Sequence, residues 1–461
     1  MKLIPILRGT INLRHNIFAL SSGSLPSAIA IIRISGRDSL EHGKQMMSVT
    51  HIRPKQLFYT KLFDEKGDLL DRAMAVYLPG PNTFTGEDTL ELFVHGGKAT
   101  VNAILERIGR FENTDGAKAG EFSRRALLNN KMNIGQVEAL GNLLHAETDV
   151  QRKQALRGDG IKKLMDPLKD DLIKLLAQFE ASIDFAEDVS VGKEKILGES
   201  KDLLRELKNL HDRGSKGTLV QDGIKVVLIG RTNVGKSSLL NKLNGQEVAL
   251  TSNIHGTTRD SIETRLNLNG LLLRLTDTAG IRDNCDDEIE REGMKRSIAK
   301  AKEADIVVFV VDGGRVGEVE EAEKFLRDRC GIHPLKNAIV CVNKADLLDP
   351  NHKIDGNPQC YSSCLQDNGT DALVKRLSSE ALNLIESNSG SDKATLSTSR
   401  QLSLIGKAIE SLEAFMYEAY TDSAIAGEHL RDCGEAIGEI TGNIVSEDIL
   451  NSIFSTFCIG K

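Results

Sequence analysis

The sequence predicts a protein of several domains: an α+β N-terminal domain, an all-α helical domain, and an α/β domain inserted into the helical one. First, its 461 residues are too many for a single hydrophobic core. Second, residues 16–115 alternate short apolar runs with turn residues, whereas 117–216 have helical spacing. Third, strands alternate with helices from 222 to about 380, which predicts a parallel sheet with helices on both faces, and helical spacing then resumes to the C-terminus.

Composition and charge are those of an ordinary globular protein, with 40% hydrophobic and 27% charged residues. No apolar run reaches the roughly 18 residues that a transmembrane helix needs. A net charge of −7 excludes a surface coated with basic residues, although it is compatible with a local patch that binds RNA. Of the seven cysteines only Cys360 and Cys364 are closely spaced, and no second pair completes a zinc site. We therefore expect buried free thiols in a reducing compartment.

The first fifteen residues mix Lys2, Arg8 and Arg14 with apolar residues, and the first acidic residue is Asp38. This pattern favours an organellar transit segment over residues 1–15. The alternative is a frayed basic N-terminus.

The N-terminal domain is predicted over residues 16–117, with strands at 28–34, 73–78 and 89–94 and a helix at 99–110. The helical domain is predicted to comprise residues 118–216 and 386–461. Glycines at 214, 217 and 223, with Ser215 and Lys216, predict a linker into an inserted domain at 222–385. Insertion of a domain is tolerated where its two ends lie close together.

The inserted domain opens with an apolar strand at 224–229, the segment Gly-Arg-Thr-Asn-Val-Gly-Lys-Ser-Ser at 230–238, and a helical pattern. G-x-x-x-x-G-K-[ST] between a strand and a helix predicts a phosphate-binding loop, and a plain glycine turn before a surface helix would not require that pattern. Lys236 is expected to reach the β- and γ-phosphates, and Ser237 to hold Mg²⁺. The predicted nucleotide-binding residues of this loop are Asn233, Val234, Gly235, Lys236, Ser237 and Ser238.

Three further motifs follow predicted strands in the order that a GTP site requires. Asp277-Thr278-Ala279-Gly280 offers a carboxylate that can hold Mg²⁺ through water and a glycine amide that can sense the γ-phosphate. Asn343-Lys344-Ala345-Asp346 places a carboxylate where it can accept two N–H bonds from guanine, which adenine does not offer. Ser362 and Ser363 belong to a last loop, expected to support the base. Together these motifs predict GTP as the ligand.

Catalysis needs a group that orients the attacking water. Ras-like switches use a glutamine directly after the glycine that corresponds to Gly280. Here that position is Ile281, which cannot hydrogen-bond water. The nearest candidates lie in the acidic run 286–290, of which Glu290 is the favoured one. The alternative is that this run is a solvated charge cluster at a helix start.

The segment 252–260 lies between the phosphate loop and Asp277, where a switch loop is expected. Thr258 can complete the Mg²⁺ shell. Asn233 is well placed to help hold a second, monovalent cation, which would supply the positive charge that an arginine finger supplies elsewhere.

Taken together, the chain resembles the MnmE (TrmE) family of tRNA-modifying GTPases, and its mitochondrial members in particular, from Asn16 to Lys461. The most specific motifs lie outside the GTP-binding part. They are Thr85-Gly86-Glu87-Asp88, Glu91-Leu92, His95-Gly96-Gly97, Gly120-Glu121-Phe122, Arg125-Ala126, Leu128-Asn129, Lys131, Ile183-Asp184-Phe185 and Phe457-Cys458-Ile459-Gly460-Lys461.

The resemblance implies a homodimeric, K⁺-stimulated GTPase that acts with an MnmG-like FAD protein on the wobble uridine of tRNA, in the mitochondrial matrix or alternatively the cytoplasm. Its N-terminal domain would serve dimerisation and bind formyl-tetrahydrofolate, the one-carbon donor. The family's sites would map to the following positions: Arg33, Glu91, Lys131 and Lys461 for the folate; Ser237 and Thr258 for Mg²⁺; Asn233, Ser252, Ile254 and Thr257 for K⁺; and Glu290 for the attacking water.

The chain departs from the family pattern at Asn253 and His255 in the switch loop, at Thr232 in the phosphate loop, and at Cys364. A rival interpretation is a ribosome-assembly GTPase switch. Arg33, Glu91 and Lys131 favour tRNA modification, because an assembly switch needs no folate site.

Cys458 has three interpretations. The family links its terminal cysteine to the modification chemistry, near the substrate uridine. A cysteine four residues from the end also suggests prenylation, but Gly460 and Lys461 do not fit that motif. The third interpretation is an inert, buried small hydrophobe.

Overall fold

A computed structural model describes residues 15–49, 51–184, 189–246, 248–250, 263–277, 288–314, 318–331, 337–348, 360–386, 396–442 and 447–461. Within these ranges no helix is long and apolar enough to cross a membrane. The chain divides into two compact units. The first comprises Met1–Gly141, Ile161–Ile196 and Ser411–Lys461, and the second comprises Asn142–Gly160 and Leu197–Glu410.

The first unit contains a six-stranded sheet, in which the three strands expected from the sequence are found together with three others. Its strands are β1 (Asn16–Leu20), β2 (Ser27–Ser35), β3 (Phe58–Phe63), β4 (Leu69–Leu78), β5 (Thr89–Gly96) and β6 (Thr114–Gly116). The spatial order is β3-β4-β5-β2-β1-β6. Neighbours are antiparallel except β1 and β6, which are parallel. Strand β6 has only three residues, too few to show a periodic pattern.

The helices of the N-terminal part are α1 (Ser39–Met46), α2 (Lys98–Gly109), α3 (Glu121–Leu128) and α4 (Ile134–His145). One face of the sheet is buried, because Ile32, Leu90 and Leu92 pack in one core with Val101 and Ile104 of α2. Side chains alternate between faces along a strand, so the residues between these apolar ones lie on the opposite face.

The second unit contains another six-stranded sheet, of order β12-β11-β10-β7-β9-β8. Its strands are β7 (Ile224–Ile229), β8 (Glu263–Leu268), β9 (Leu271–Asp277), β10 (Ile306–Asp312), β11 (Ala338–Asn343) and β12 (Cys360–Tyr361). The expectation of a purely parallel sheet was wrong at one edge, because β8 is antiparallel to β9. The turn between them is Asn269-Gly270, with φ of 54° and 83°, and this dipeptide is a strong hairpin signal.

The remaining helices alternate with these strands or follow them. They are α5 (Asp149–Leu156), α6 (Ile161–Asp184), α7 (Val189–Asp222), α8 (Lys236–Asn244), α9 (Glu288–Glu303), α10 (Glu318–Asp328), α11 (Asp371–Glu386), α12 (Ser399–Glu418), α13 (Ser423–Thr441) and α14 (Glu447–Ser455). Within the first unit, Phe179 of α6 meets Phe415 of α12 edge to face, with ring centroids 5.0 Å apart.

The prediction of a glycine-rich linker at 214–223 was wrong, because α7 continues through Gly214 and Gly217 to Asp222. Gly214 lies in the helix where a Cβ atom would be 2.8 Å from Leu396 Cδ1. The glycine therefore permits close packing and does not mark a turn. Only Gly223 follows the helix, with a φ of 83°.

Candidate nucleotide site and N-terminal site

The phosphate loop is shaped by two glycines that no other residue could replace without movement. Gly230 has a φ of 150°, and a Cβ atom there would lie 2.2 Å from the carbonyl oxygen of Val310. Gly235 has a φ of 96°, and its Cβ would lie 2.4 Å from Asn343 Nδ2. Asn233 between them is left-handed, with a φ of 65°. The loop passes directly into α8, so backbone N–H groups at this helix start are available to phosphate oxygens.

Lys236 is buried within this loop. Its Nζ donates to the carbonyl oxygens of Gly230, over 3.0 Å, and Arg231, over 2.9 Å. Burial lowers the pKa of Lys236, and the carboxylate of Asp277 partly offsets that effect. An ammonium held by carbonyls beside a phosphate loop is suited to meet anionic oxygens of a nucleotide.

Ser237 and Asp277 supply oxygen atoms that suit a Mg²⁺ site, the serine hydroxyl as a direct ligand and the carboxylate through water. Ser237 Oγ donates to Asp277 Oδ2 over 2.5 Å. Asp277 Oδ1 is buried, and among the described residues it has no hydrogen-bond partner. A buried carboxylate oxygen without a donor is satisfied by a cation or by water that the cation holds.

The base-reading and phosphate loops are joined by one buried side chain. Asn343, at the end of β11, donates from Nδ2 to the carbonyl oxygen of Val234 over 2.8 Å. Its Oδ1 accepts from Ser362 Oγ over 3.0 Å. The loop after β12 is in turn held by the backbone bond from Ala345 N to the carbonyl of Ser362, 3.0 Å long.

Asp346, the predicted guanine reader, accepts a hydrogen bond from the hydroxyl of Ser363. Lys344 is left-handed and pairs through Nζ with Asp312 Oδ2 at 2.7 Å. Asp312 therefore belongs to this site, although the sequence analysis gave it no role. Its place at the carboxyl end of a buried strand was the signal, since ligands of open α/β sheets bind at that edge.

Several predicted residues lie outside the described ranges. They are Ser252, Ile254, Thr257, Thr258, Thr278, Ala279 and Gly280. Glu290 lies in the first turn of α9, and its side chain is outside the described part of the chain.

In the first unit, the sheet brings Arg33 and Glu91 together. The two residues oppose each other on β2 and β5, and Arg33 Nε lies 2.9 Å from Glu91 Oε1, with 17% and 18% of their side chains exposed. The guanidinium carbon lies 5.8 Å from the ring centroid of Phe84 and 5.6 Å from that of Phe122. The guanidinium of this pair thus lies close to two aromatic rings.

Lys131 lies against the loop that carries Phe84. Its Nζ donates to the carbonyl oxygen of Pro81 over 2.9 Å. Gly86, at a φ of 81°, would place a Cβ atom 3.3 Å from the Lys131 side chain. This loop therefore presents an aromatic ring towards Arg33 and holds the lysine by its backbone.

The C-terminal tail is fixed beside β1. A Cβ atom on Gly460, which has a φ of 99°, would lie 2.2 Å from the carbonyl oxygen of Leu20. Ile459 bridges to Ala119. Leu20 is the neighbour of Ala19, which opposes Arg33 in the sheet. The fold thus places Lys461 and Cys458 alongside the strand next to Arg33.

The expectation of buried free thiols is correct for some of the described cysteines and wrong for Cys458. Among the described thiols Cys330, Cys341, Cys360 and Cys433 are buried, and each is free. Cys458 is also free but exposed, so its interpretation as an inert buried hydrophobe was wrong. Its carbonyl oxygen accepts from Gly120 N over 3.4 Å, which fixes its backbone while the thiol stays accessible.

A buried ion pair that the sequence did not predict supports the N-terminal site. Arg125 is fully buried, and its Nη1 lies 3.1 Å from Glu87 Oε1. Glu87 also accepts from Ser35 Oγ over 2.8 Å. A charge pair inside a domain fixes the elements that carry it, because removing one partner leaves the other without compensation. Both residues belong to motifs singled out above, without a role.

A phosphate loop, a serine–aspartate pair suited to Mg²⁺ and a guanine-reading loop at one sheet edge define a GTPase of the phosphate-loop class. Two family models match this chain and together cover most of its length. The model of the GTP-binding protein TrmE N-terminus matches residues 16–131, and the model of the MnmE helical domain matches residues 134–458. The chain belongs to the MnmE family and is a GTPase.

Relatives match along nearly the whole chain. The tRNA modification GTPase MnmE of Chelativorans sp. (strain BNC1) is 37% identical over 98% of this chain and 99% of its own length. That of Aquifex aeolicus is 37% identical over 97% of this chain and 100% of its own. Among solved structures, Aquifex aeolicus Era bound to GDP·AlF4⁻ is 25% identical over 41% of this chain and 66% of that chain. The TM-score of that match is 0.27.

Proposed function

We propose that this chain hydrolyses GTP to drive modification of tRNA at carbon 5 of the wobble uridine, U34. It would act as a homodimer, with an MnmG-like flavoprotein and a formyl-tetrahydrofolate as one-carbon donor. The observation that carries the proposal is the Arg33–Glu91 pair, whose guanidinium lies close to the rings of Phe84 and Phe122. Lys131 is held against the loop that carries Phe84, and the C-terminal tail lies beside β1, the strand next to Arg33. The relatives' names, tRNA modification GTPase, point the same way.

The chemistry of a folate suits these groups. A pterin presents paired N–H donors that match a carboxylate such as Glu91, and its flat ring suits an aromatic neighbour such as Phe84. The glutamate tail of a folate carries carboxylates, which suit the ammonium groups of Lys131 and Lys461. When bound, the folate would supply the one-carbon unit. The exposed thiol of Cys458 would lie near the substrate uridine.

The metals follow from the GTPase site. Ser237, with Thr258, would hold Mg²⁺, and Asp277 would support it through water. Asn233, Ser252, Ile254 and Thr257 would hold K⁺, which would stabilise charge on the phosphates during hydrolysis. Glu290 would orient the attacking water, because Ile281 offers it no hydrogen bond. The left-handed backbone of Asn233 inside the phosphate loop supports its part in this scheme.

Dimerisation through the N-terminal domain is supported by the open face of its sheet. Ile29 of β2 and Tyr59 of β3 are 61% and 53% exposed. Exposed apolar side chains such as these suit contact with a second copy of the chain. For location we propose the mitochondrial matrix, from the basic residues before Asp38, with the cytoplasm as the alternative.

Binding of a formyl-tetrahydrofolate to the purified protein tests the proposal. Calorimetry should detect binding to the wild type, and Glu91→Gln should weaken it at least about tenfold, since a charge-assisted pair is worth roughly 1.5–3 kcal/mol. Arg72→Ala, an exposed cation on the same sheet, is the matched control and should bind normally. A protein that binds GTP but no folate would favour the ribosome-assembly alternative. Profiling wobble uridines in depleted cells would then test the tRNA step.

A further inference from the structure

Four charged side chains connect the β8–β9 hairpin to the segment before α5. Arg265 of β8 lies 2.6 Å from Glu147, measured from Nη1 to Oε1, and 3.2 Å from Glu263, measured from Nε to Oε1. Glu263 also binds Arg274 of β9, with Nε–Oε1 and Nη2–Oε2 distances of 2.8 and 3.1 Å. Glu147 belongs to neither strand, so it enters this network from outside the α/β fold.

The network is partly shielded from water. The exposed fractions of its four side chains lie between 27% and 36%. Burial works against ionisation of Glu263, but Arg274 and Arg265 outweigh it, so the pKa of that carboxyl is lowered. A linked set of half-buried charges holds its geometry better than an isolated surface pair, whose contribution is commonly below about 1 kcal/mol.

The Glu147 end of the network is anchored by its neighbours. Thr148 and Gln151 form a capping box at the start of α5. Gln151 Nε2 donates to the carbonyl oxygen of Gln221 in α7 over 2.9 Å. Val150 packs so closely on the hairpin turn that a Cβ atom on Gly270 would lie 2.7 Å from it. The backbone around Glu147 is therefore well restrained, so its ion pair with Arg265 can restrain the β8–β9 hairpin in turn.

The other end of the network leads into the nucleotide site. Arg274 lies three residues before Asp277, the last residue of β9, which accepts the hydrogen bond of Ser237. Three residues of strand span about 10 Å. Because Glu263 opposes Thr276 and Arg265 opposes Arg274, the charges restrain the half of the hairpin next to Asp277.

We propose that Glu147, acting through Arg265, is a positioning residue for the magnesium site of this GTPase. It restrains β9 so that Asp277 stays beside Ser237. A segment outside the α/β fold thereby sets how tightly Mg²⁺ binds with the nucleotide. Such coupling is reciprocal, so Mg²⁺-nucleotide binding would also restrain the segment around Glu147.

A double-mutant cycle with a fluorescent GDP analogue tests this, with binding measured with and without Mg²⁺. Glu147→Ala and Arg265→Ala should each reduce the Mg²⁺-dependent gain in affinity about three- to tenfold, a loss that falls within the range for residues in one network. Affinity without Mg²⁺ should not change. The double variant should lose no more than Arg265→Ala alone, because Glu147 acts through that arginine.

Two further variants keep the test sharp. Asp202→Ala, which removes an exposed ion pair with Arg205 in α7, is the matched control and should leave Mg²⁺ dependence unchanged. Arg265→Lys keeps the charge and should retain most of the gain even if Arg265→Ala unfolds. An unaltered Mg²⁺-dependent gain in Glu147→Ala would overturn the proposal, as would additive losses in the double variant.

Discussion

Asn343 donates its side-chain amide to the backbone carbonyl of Val234 over 2.8 Å, and so joins the base-reading loop to the phosphate loop. Both groups are buried. A single side chain thus sets the distance between the phosphate loop and the base-reading loop, which are expected to bind opposite ends of a nucleotide.

Replacement of this side chain should weaken nucleotide binding. Asn343→Ala leaves the Val234 carbonyl without its donor, and an unsatisfied buried acceptor costs about 1–3 kcal/mol. GTP affinity, measured with a fluorescent analogue, should fall about tenfold or more. Ser362→Ala is the control, because it removes a bond to Asn343 but leaves the bond to Val234 intact. Equal losses in both variants would mean that the tie to Val234 has no special weight.

Base specificity should change when Asp346 becomes an amide. Asp346→Asn should weaken GTP and tolerate xanthosine triphosphate, since the added oxygen of xanthine accepts the N–H that the new amide donates. Competition binding with both nucleotides measures the change. Asp312→Asn is the control, because it weakens the ion pair with Lys344 but leaves Asp346 unchanged. This variant should lower affinity for both nucleotides alike. An unchanged preference for GTP in Asp346→Asn would show that another residue reads the base.

GTP turnover should be faster in K⁺ than in Na⁺ at equal ionic strength. The reason is geometric, because a cavity of side-chain and carbonyl oxygens has to fit the cation that takes the place of an arginine finger. Asn233→Ala should reduce the difference between the two salts, while Asn241→Ala, on the exposed side of α8, should not. Equal wild-type rates in the two salts would show that the chain lacks this mechanism, with His255 the first residue to examine.

Glu290 should matter for the hydrolysis rate and not for binding. If it orients or deprotonates the attacking water, Glu290→Ala should lower turnover by about 10²–10⁴-fold, the usual effect of losing a general base. GTP affinity should barely change, because the group acts on the water and not on the bound phosphates. Glu288→Ala, at the first residue of α9, is the control. Wild-type rates in both variants would assign the acidic run to a solvated helix start.

The phosphate loop could be predicted because its requirements are local in sequence. Gly230 and Gly235 are needed where the backbone takes positive φ and approaches its neighbours, and the lysine and serine follow at fixed offsets. The β8–β9 hairpin was equally local in its signal, Asn269-Gly270, and its antiparallel strand was missed because a run of parallel strands was assumed.

Other features depend on contacts between distant parts of the chain. Arg33 and Glu91 meet only because β2 and β5 align in one register, which is set by burial of the opposite face of the sheet. Gly214 has the local sequence of a linker residue, and only its close packing against Leu396 explains why a glycine lies within the helix.

The sequence by itself determined the GTP-binding motifs and the strand-to-helix elements that carry them, because each rests on backbone rules within a few residues. Only the tertiary structure decided the pairing of Arg33 with Glu91 and of Arg265 with Glu147, which are 58 and 118 residues apart. Such pairs form because burial of the apolar faces of sheets and helices sets the register and packing of whole elements. No short stretch of sequence contains that information.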